Sequence, residues 1–290
     1  MQLAIFKDAR YFQLCFQIIL LGFGTIVLGW QTQWINNGTY LLSGLIFHVI
    51  AEKYFVSNQR RTIPFIQRWK QGVWSVIISC LSLCLLLRVN FWASAIVASG
   101  IAVLSKYFIQ VKGKHVFNPS ALAIVLMVAI SGDAWFSPAQ WGSGVMIFFT
   151  VLCLGCIVVT KVQKLAVSLV FLGVFSGLLF WRQIIFLHWP MDFFLQSIST
   201  GSLLLFGFFM ITDPKTLPNH FAARMVWVVA IAALSFYLSV FHFLQGAPIW
   251  VLVLMQPMVP ILDYFFKAPQ FQWHKPEAFI STKILSIHHP

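Results

Sequence analysis

The chain has 290 residues, of which 60% are hydrophobic and only 9% charged, with a mean hydropathy of +0.86. Soluble domains carry about 25% charged residues, so this chain lacks the polar surface of a water-soluble globule, and we predict an integral membrane protein. The formal net charge of +12 does not indicate a nucleic-acid partner, because the basic residues lie in short islands between apolar runs instead of on one face.

Ten apolar runs of roughly the length that a spanning helix needs, about 17 to 25 residues, follow one another along the chain. We predict an all-α integral membrane protein with about ten transmembrane helices. The third and fourth runs are separated only by Arg88, Val89 and Asn90, which requires a tight turn. The predicted spans are residues 11–30, 39–55, 73–90, 91–109, 117–131, 144–160, 165–187, 195–211, 221–241 and 247–266.

The lysines and arginines test this topology, since cytoplasmic loops carry an excess of both. With the N-terminus in the cytoplasm, seventeen of the nineteen fall on the cytoplasmic side, and only Arg88 and Arg182 fall on the other. We therefore predict that both termini are cytoplasmic. Residues 1–290 form a single polytopic membrane domain, in which residues 1–70 hold the first two spans and a basic cytoplasmic loop. Residues 267–290 form a cytoplasmic tail.

Two ionisable residues, His48 and Glu52, lie four positions apart in the second span and hence on one helical face. Ionisable residues are costly inside a membrane and often functional, which leaves a proton relay or half of a cation site open. Lys53 follows directly, near the cytoplasmic end, and the pattern favours a charged pair that reaches the membrane surface.

The stretch GKHVFNPSALAIVLMVAI, residues 113–130, places basic residues and an Asn-Pro step directly before an uncharged run. Asn is a strong N-cap, and proline is favoured at the first helical position. Asn118 and Pro119 therefore predict a helix start at the cytoplasmic surface. The free N–H groups of such a first turn favour an anionic or electron-rich ligand.

A second step of this kind follows on the same predicted side, where the span GSLLLFGFFMIT ends in Asp213 and Pro214. The spans beside both steps are unusually short, a feature that points to binding sites in transporter folds. The residues alone nevertheless favour helix starts and surface turns. In the last span, Pro257 and Pro260 predict a kink, and Asp263 fits capping or charge balance.

The sequences VFNPSALAIV and, roughly ninety residues later, GSLLLFGFFMITDPKT together resemble the NqrB/RnfD family. These are the flavin-bearing membrane subunits of the sodium-pumping NADH:quinone reductase and of the Rnf electron-transport complex. The resemblance in span order covers roughly residues 70–265 and implies an NqrB/RnfD-like bundle in a bacterial inner (plasma) membrane. The residues that fit its motifs are Phe117, Asn118, Pro119, Gly201, Gly207, Phe208, Phe209, Met210, Thr212, Asp213, Pro214 and Thr216.

The chain departs from this family at the point where covalent FMN is attached. NqrB and RnfD carry FMN on a threonine in a Ser/Thr-rich motif on the outer side, between the two steps. The corresponding segment here, SGDAWFSPAQWGSG at residues 131–144, has no threonine, and neither Thr150 nor Thr160 lies in such a motif. We therefore predict no covalent flavin. The sequence looks closer to an RnfD-like branch labelled UnbU, in which GKHVFNP, SPAQWG and TDPKT occur together.

The resemblance implies that a non-covalent flavin (riboflavin or FMN) or a quinone binds near the cytoplasmic helix ends. Basic residues would meet a phosphate or the negative charge of a reduced flavin, the Asn and Asp of the two steps would hydrogen-bond the ring edge, and phenylalanines would stack on the ring. Positive-inside charge, capping and lipid-facing packing explain the same residues without a ligand. The candidates are Lys112, Lys114, His115, Asn118, Asp213, Phe117, Phe208, Phe209 and, from the second motif, Thr216.

No haem and no metal site is predicted. The histidines His48 and His242 fall at different depths in the predicted membrane, so they cannot form a bis-histidine haem site. Cys153 and Cys156 lie in an apolar run, which favours small buried thiols over metal ligands.

The implied function is that of a membrane subunit of an RnfD/NqrB-like electron-transport system, at most a redox subunit of a membrane oxidoreductase complex, with no catalytic residue assigned. An electron cannot cross about 30 Å of hydrocarbon through a chain that holds no cofactor on the way, so partner redox subunits are implied alongside the lipid bilayer. Two alternatives stay open: a transporter of a small, flavin-like solute, and a membrane anchor for a partner enzyme.

Overall fold

The computed structural model describes residues 9–26, 29–30, 32–56, 64–111, 113–137 and 165–269. These residues are mostly helical, as the sequence predicts. The predicted sixth span, 144–160, and residues 270–290 of the predicted tail lie outside them. The described helices are α1 (Ala9–Ile26), α2 (Trp34–Tyr54), α3 (Phe65–Leu86), α4 (Trp92–Phe108), α5 (Pro119–Ile130), α6 (Leu165–Phe180), α7 (Met191–Ile198), α8 (Gly201–Leu205), α9 (Phe221–Phe241), α10 (Ala247–Met255) and α11 (Met258–Phe265).

Three of the described helices are long and apolar enough to cross a membrane: α3, α9, and α6 together with its continuation to Phe186. The pairs α7–α8 and α10–α11 are bent helices that each meet the same test, which gives up to five spans. The described helices overlap nine of the ten predicted spans. Among them, α1, α4 and α5 are apolar but shorter than the three helices that are long enough to cross a membrane. The number of ten spans and the cytoplasmic termini remain predictions.

Several helices are irregular where the chain approaches a turn. The α10–α11 pair bends by 48° at Gln256 and Pro257, and the predicted kink is confirmed, because proline cannot continue the helical hydrogen-bond ladder. The α7–α8 pair bends by 47°. Two helices run on into π-helical segments, α6 into Trp181–Phe186 and α8 into Phe206–Met210. Such segments recur at functional sites.

Two short antiparallel ribbons accompany the helices in the described part of the chain. Strand β1 (Leu87–Val89) pairs with β4 (Ala134–Phe136) at the predicted outer side, and β2 (Gln110–Val111) pairs with β3 (Lys114–His115). The turn of the second ribbon contains Gly113 with a φ of +75°, which glycine adopts without steric cost. Strands of two or three residues are too short to produce an alternating pattern in the sequence.

Helix α5 lies at the centre of the described bundle, against α3, α4 and α10. Apart from Ser120 its side chains are apolar all round, and Ala121, Ala123 and Ile124 are fully buried. A helix with this pattern belongs in a protein interior. Helix α2 packs on α3 and α4, so closely that a Cβ at Gly44 would lie 2.3 Å from Cys80 Sγ. This packing brings the C-terminal ends of α2 and α4 close to the start of α3.

Candidate functional site

The Asn-Pro step begins α5, as the sequence predicts. Pro119 is the first helical residue, and the Asn118 side chain caps the helix by accepting hydrogen bonds from the Ala121 N–H (3.2 Å) and the Ser120 hydroxyl (2.9 Å). The Asn118 backbone N–H donates to Gln256 Oε1 (3.0 Å), and its amide donates to the Met210 carbonyl (3.4 Å). The buried Asn118 therefore joins three parts of the chain: the start of α5, the end of the α8 π-segment and the kink after α10.

The Asp-Pro step forms a turn directly after this π-segment. Asp213 Oδ1 accepts from the Lys215 backbone N–H (3.1 Å), and the Asp213 carbonyl accepts from the Thr216 N–H (3.1 Å) and the Thr216 hydroxyl (3.3 Å). Such side-chain-to-backbone bonds are typical of Asx turns. The turn fixes the Asp213 carboxylate close to the Asn118 end of α5.

The two steps meet at a cavity of about 670 Å³, a volume within the usual range of ligand sites. Its wall is built by α1, by the C-terminal ends of α2 and α4, by α3, by the start of α5 and by residues 208–215. In the predicted topology, all of these helix ends, including the start of α1, lie on the cytoplasmic side. Most of the lining residues are polar, although apolar groups also contribute to the wall. The polar ones are Arg10, Gln13, His48, Glu52, Arg68, Gln71, Ser75, Ser79, Ser82, Lys106, Tyr107, Gln110, His115, Asn118, Ser120, Thr212, Asp213 and Lys215.

The predicted site residues divide between the cavity and its surroundings. His115, Asn118, Phe208, Phe209 and Asp213 line the cavity. Lys114, Phe117 and Thr216 are not part of its lining, and Lys112 lies outside the described residues. The roles of all nine in binding a cofactor remain predictions.

The two cavity phenylalanines are already packed against protein. Phe209 stacks on Phe16 of α1, with 4.6 Å between ring centroids and 18° between ring planes. Phe208 is buried in the main core. One face of the Phe209 ring is therefore covered by α1. A ligand could stack only on the part of the ring that faces the cavity.

Lys114 forms a junction between distant parts of the chain. Its ammonium donates to the Leu217 carbonyl, to Asp263 Oδ2 (2.7 Å) and to Asn219 Oδ1 (3.3 Å), and Asp263 Oδ1 accepts from the Asn219 N–H (2.7 Å). The β2–β3 ribbon, the turn after residue 213 and α11 are thus tied together. The expectation that Asp263 serves charge balance agrees with this pairing.

Replacing Lys114 by methionine is expected to lower the free energy of unfolding by about 2 kcal/mol, between the values for exposed and buried ion pairs, because Asp263 loses its ammonium. Thermal unfolding of the purified protein in detergent measures this, with Lys53→Met as the control, since Lys53 is exposed on α2. Equal unfolding temperatures for the two variants would show that the junction contributes nothing. Loss of flavin binding without loss of stability would support the predicted role of Lys114 at the ligand.

A buried network from α2, α3 and α4 forms one wall of the cavity. Arg68 Nε lies 3.2 Å from Glu52 Oε2, and the Tyr107 hydroxyl donates to Glu52 Oε1 (2.8 Å) and lies 2.9 Å from His48 Nδ1. His48 is 0% and Glu52 only 3% exposed. The prediction that Glu52 and Lys53 form a charged pair at the membrane surface is wrong, because the Glu52 side chain is buried and pairs with Arg68.

The sequence analysis also missed Lys106, which it counted among the surface charges of the cytoplasmic side. Lys106 lies in the last turn of α4, is 7% exposed and lines the cavity. A signal was present, because Lys106 falls inside the predicted span 91–109, where an ionisable residue is costly and often functional.

The cavity carries more positive than negative charge. The described residues of its lining include four basic side chains and two carboxylates. The basic ones are Arg10, Arg68, Lys106 and Lys215, and the carboxylates belong to Glu52 and Asp213. Burial raises the pKa of the Asp213 carboxyl, and the hydrogen bond from Lys215 with the positive charges of Lys215 and Lys106 opposes this rise. The ionised form of Asp213 therefore depends on the lysines around it.

Comparison with known proteins gives a family match over part of the chain and a distant relative. The sequence model of the NQR2, RnfD, RnfE family matches residues 132–272, a range that contains the Asp213-Pro214 step and begins after the Asn118-Pro119 step. The chain is also similar to the D component of the ion-translocating oxidoreductase complex of Alcanivorax borkumensis, with 21% identity over 309 aligned positions that cover 87% of this chain and 89% of that protein.

Proposed function

From the match to the NQR2, RnfD, RnfE family over residues 132–272 and the similarity to a D subunit of an ion-translocating oxidoreductase complex, we propose that the chain belongs to this family and is a membrane subunit of an RnfD-type ion-translocating oxidoreductase complex. We further propose that it binds a flavin or a quinone, without covalent attachment, in the cavity between the two proline steps. A flavin or quinone bound there would accept and release electrons, and partner subunits would supply and remove them.

The observation that carries this proposal is the meeting of two distant motifs at one cavity. Asn118 and Asp213 are 95 positions apart, yet both line it, and Asn118 donates to the Met210 carbonyl at the end of the α8 π-segment. The cavity also has the two kinds of group that a flat, polar-edged ring needs. Phe208 and Phe209 supply apolar surface, and Ser75, Ser79, Ser82 and Thr212 supply hydroxyl groups.

A cavity-filling substitution tests the proposal. We expect the purified wild-type chain to retain or take up flavin, and Ser79→Phe to reduce the flavin content about tenfold or more, since a ligand enclosed in a cavity cannot share its volume with a new ring. Ile66→Phe is the matched control, because Ile66 lies on the same helix α3 and is 66% exposed. Absorbance of the flavin released by denaturation measures the content.

The same samples test the predicted absence of covalent flavin. After denaturing electrophoresis, we expect no flavin fluorescence in the band of this protein, because all bound flavin should leave with unfolding. A fluorescent band would overturn that prediction. A wild-type chain that neither binds added flavin nor gains thermal stability from a quinone would overturn the redox-cofactor proposal.

Transport of a small solute is a second candidate, favoured by the two bent helix pairs. Discontinuous helices form the binding sites of many transporters, and the α10–α11 bend at Gln256 contacts Asn118 directly. Uptake of riboflavin by vesicles that contain this chain alone would favour transport. Stoichiometric retention of flavin without uptake would favour the redox subunit.

A further inference from the structure

Lys106 presents a buried positive charge for which the described residues supply no hydrogen-bonded carboxylate. Its ammonium donates to the Ser75 carbonyl (2.9 Å) and the Ser75 hydroxyl (3.1 Å). An ammonium has three N–H donors, and the described part of the chain provides hydrogen-bond partners for two. The side chain is 7% exposed and lies at the wall of the cavity.

A buried charge in this state is costly, because no carboxylate of the described residues hydrogen-bonds to it, and the negative charge of the nearby Asp213 offsets its desolvation only in part. The two carboxylates of the cavity make their hydrogen bonds to other groups. Glu52 accepts from Arg68 and from Tyr107, and Asp213 accepts from the Lys215 N–H within its own turn. Lys215 and Arg10 add further positive charge to the same lining. A ligand with a negative group would supply a counter-charge that accepts a hydrogen bond from the Lys106 ammonium.

We propose that Lys106 is the anion anchor of the cavity: a negative group on the ligand lies against the Lys106 ammonium and the Ser75 hydroxyl. This inference rests on the proposed function and narrows its ligand class. Two sources share the required chemistry, the phosphate of FMN and the ring of a reduced flavin. Oxidised riboflavin, which has neither charge, is the neutral reference ligand.

Binding measurements on the full-length chain in detergent test the anchor. The probes are oxidised riboflavin, oxidised FMN and, under anaerobic conditions, reduced riboflavin. We expect at least one of the two charged probes to bind about tenfold or more tightly than oxidised riboflavin, the range of a hydrogen bond to a charged group. If only FMN binds more tightly than oxidised riboflavin, the phosphate is the anchored group. If only reduced riboflavin does, the anchored group is the negatively charged ring.

In Lys106→Gln we expect this preference to disappear while the affinity for oxidised riboflavin stays within about twofold, and in Lys106→Arg we expect it to persist. Lys53→Gln, which removes an exposed charge from α2, should leave all affinities unchanged. Equal binding of all three probes by the wild type, or a preference that survives in Lys106→Gln, would overturn the anchor and leave the proposed flavin site standing.

Inorganic phosphate provides an independent measurement if no flavin binds or if Lys106→Gln does not fold. We expect millimolar phosphate to raise the unfolding temperature of the wild type relative to chloride at equal ionic strength, or, where FMN binds, to displace FMN and not oxidised riboflavin. Absence of both effects, together with no preference for reduced riboflavin, would overturn the inference. Failure of every flavin to bind, together with no gain of thermal stability from a quinone, would overturn the proposed function separately.

Discussion

Replacing Asn118 by alanine is expected to lower the free energy of unfolding by about 2 kcal/mol, as the sum of a lost N-cap, about 1 kcal/mol, and a lost buried hydrogen bond, about 1 kcal/mol. The alanine cannot accept from the Ala121 N–H or donate to the Met210 carbonyl, both of which Asn118 does. The variant is also expected to lose flavin, because the start of α5 forms part of the cavity wall.

Asn118→Ser separates the two effects. Serine is nearly as good an N-cap as asparagine, but its side chain is too short to replace the amide that points at Met210. We therefore expect Asn118→Ser to recover about half of the lost stability, about 1 kcal/mol, without recovering flavin binding. Thermal unfolding and the flavin released on denaturation give the two readouts from one preparation.

Pro119→Ala is the local control for both variants, since it alters the first residue of α5 and keeps the Asn118 side chain. It should change stability by less than about 1 kcal/mol and should retain flavin. Full flavin content in a folded Asn118→Ala protein would show that the capping residue does not contact the ligand, and the motif would then serve only to start the helix.

The cap, the kink and most helices follow from local chemistry, and for that reason the sequence predicted them. Asn118 and Pro119 carry their own helix-start signal, and Pro257 interrupts a hydrogen-bond ladder wherever it stands in a helix. Both features need only neighbouring residues, and the structure has both at the predicted positions.

The site itself depended on pairings that no local pattern encodes. Glu52 lies beside Lys53 in the sequence, yet its partner is Arg68, sixteen positions away across the turn between α2 and α3. Lys106 was counted as one more basic residue on the cytoplasmic side, since a charge count assigns a lysine to a side of the membrane and not to a depth in the protein. Both errors placed a charge at the surface that the fold buries.

The Asn-Pro and Asp-Pro steps combine a local feature that the sequence predicts with tertiary contacts that it does not. Each was predicted as a turn or helix start from its own residues, and their common side followed from the count of spans. The contact between Asn118 and Met210 could not be predicted from either step alone, nor could the cavity that both steps share with α2, α3 and α4. Both depend on the tertiary packing of the short helix α5 in the centre of the bundle.

Removing the carboxylate of Glu52 is expected to destabilise the protein more than removing the carboxylate and its partner together. The Glu52 and Arg68 side chains are 4% and 11% exposed, and the Arg68 guanidinium donates to both the carboxylate and the Glu52 carbonyl. In Glu52→Leu the guanidinium stays buried without its counter-ion, and the loss expected for such a broken pair is about 3 to 5 kcal/mol.

The double variant Glu52→Leu with Arg68→Leu removes both charges at once and is expected to be at least about 1 kcal/mol more stable than Glu52→Leu, because no uncompensated charge remains. The stability of Arg68→Leu alone should lie between those of Glu52→Leu and the double variant, since Tyr107 still donates to the Glu52 carboxylate. A double-mutant cycle of unfolding free energies measures the coupling. Additive losses would mean that Arg68 reaches water when Glu52 is removed, and the pair would then contribute to the shape of the cavity wall without fixing its charge.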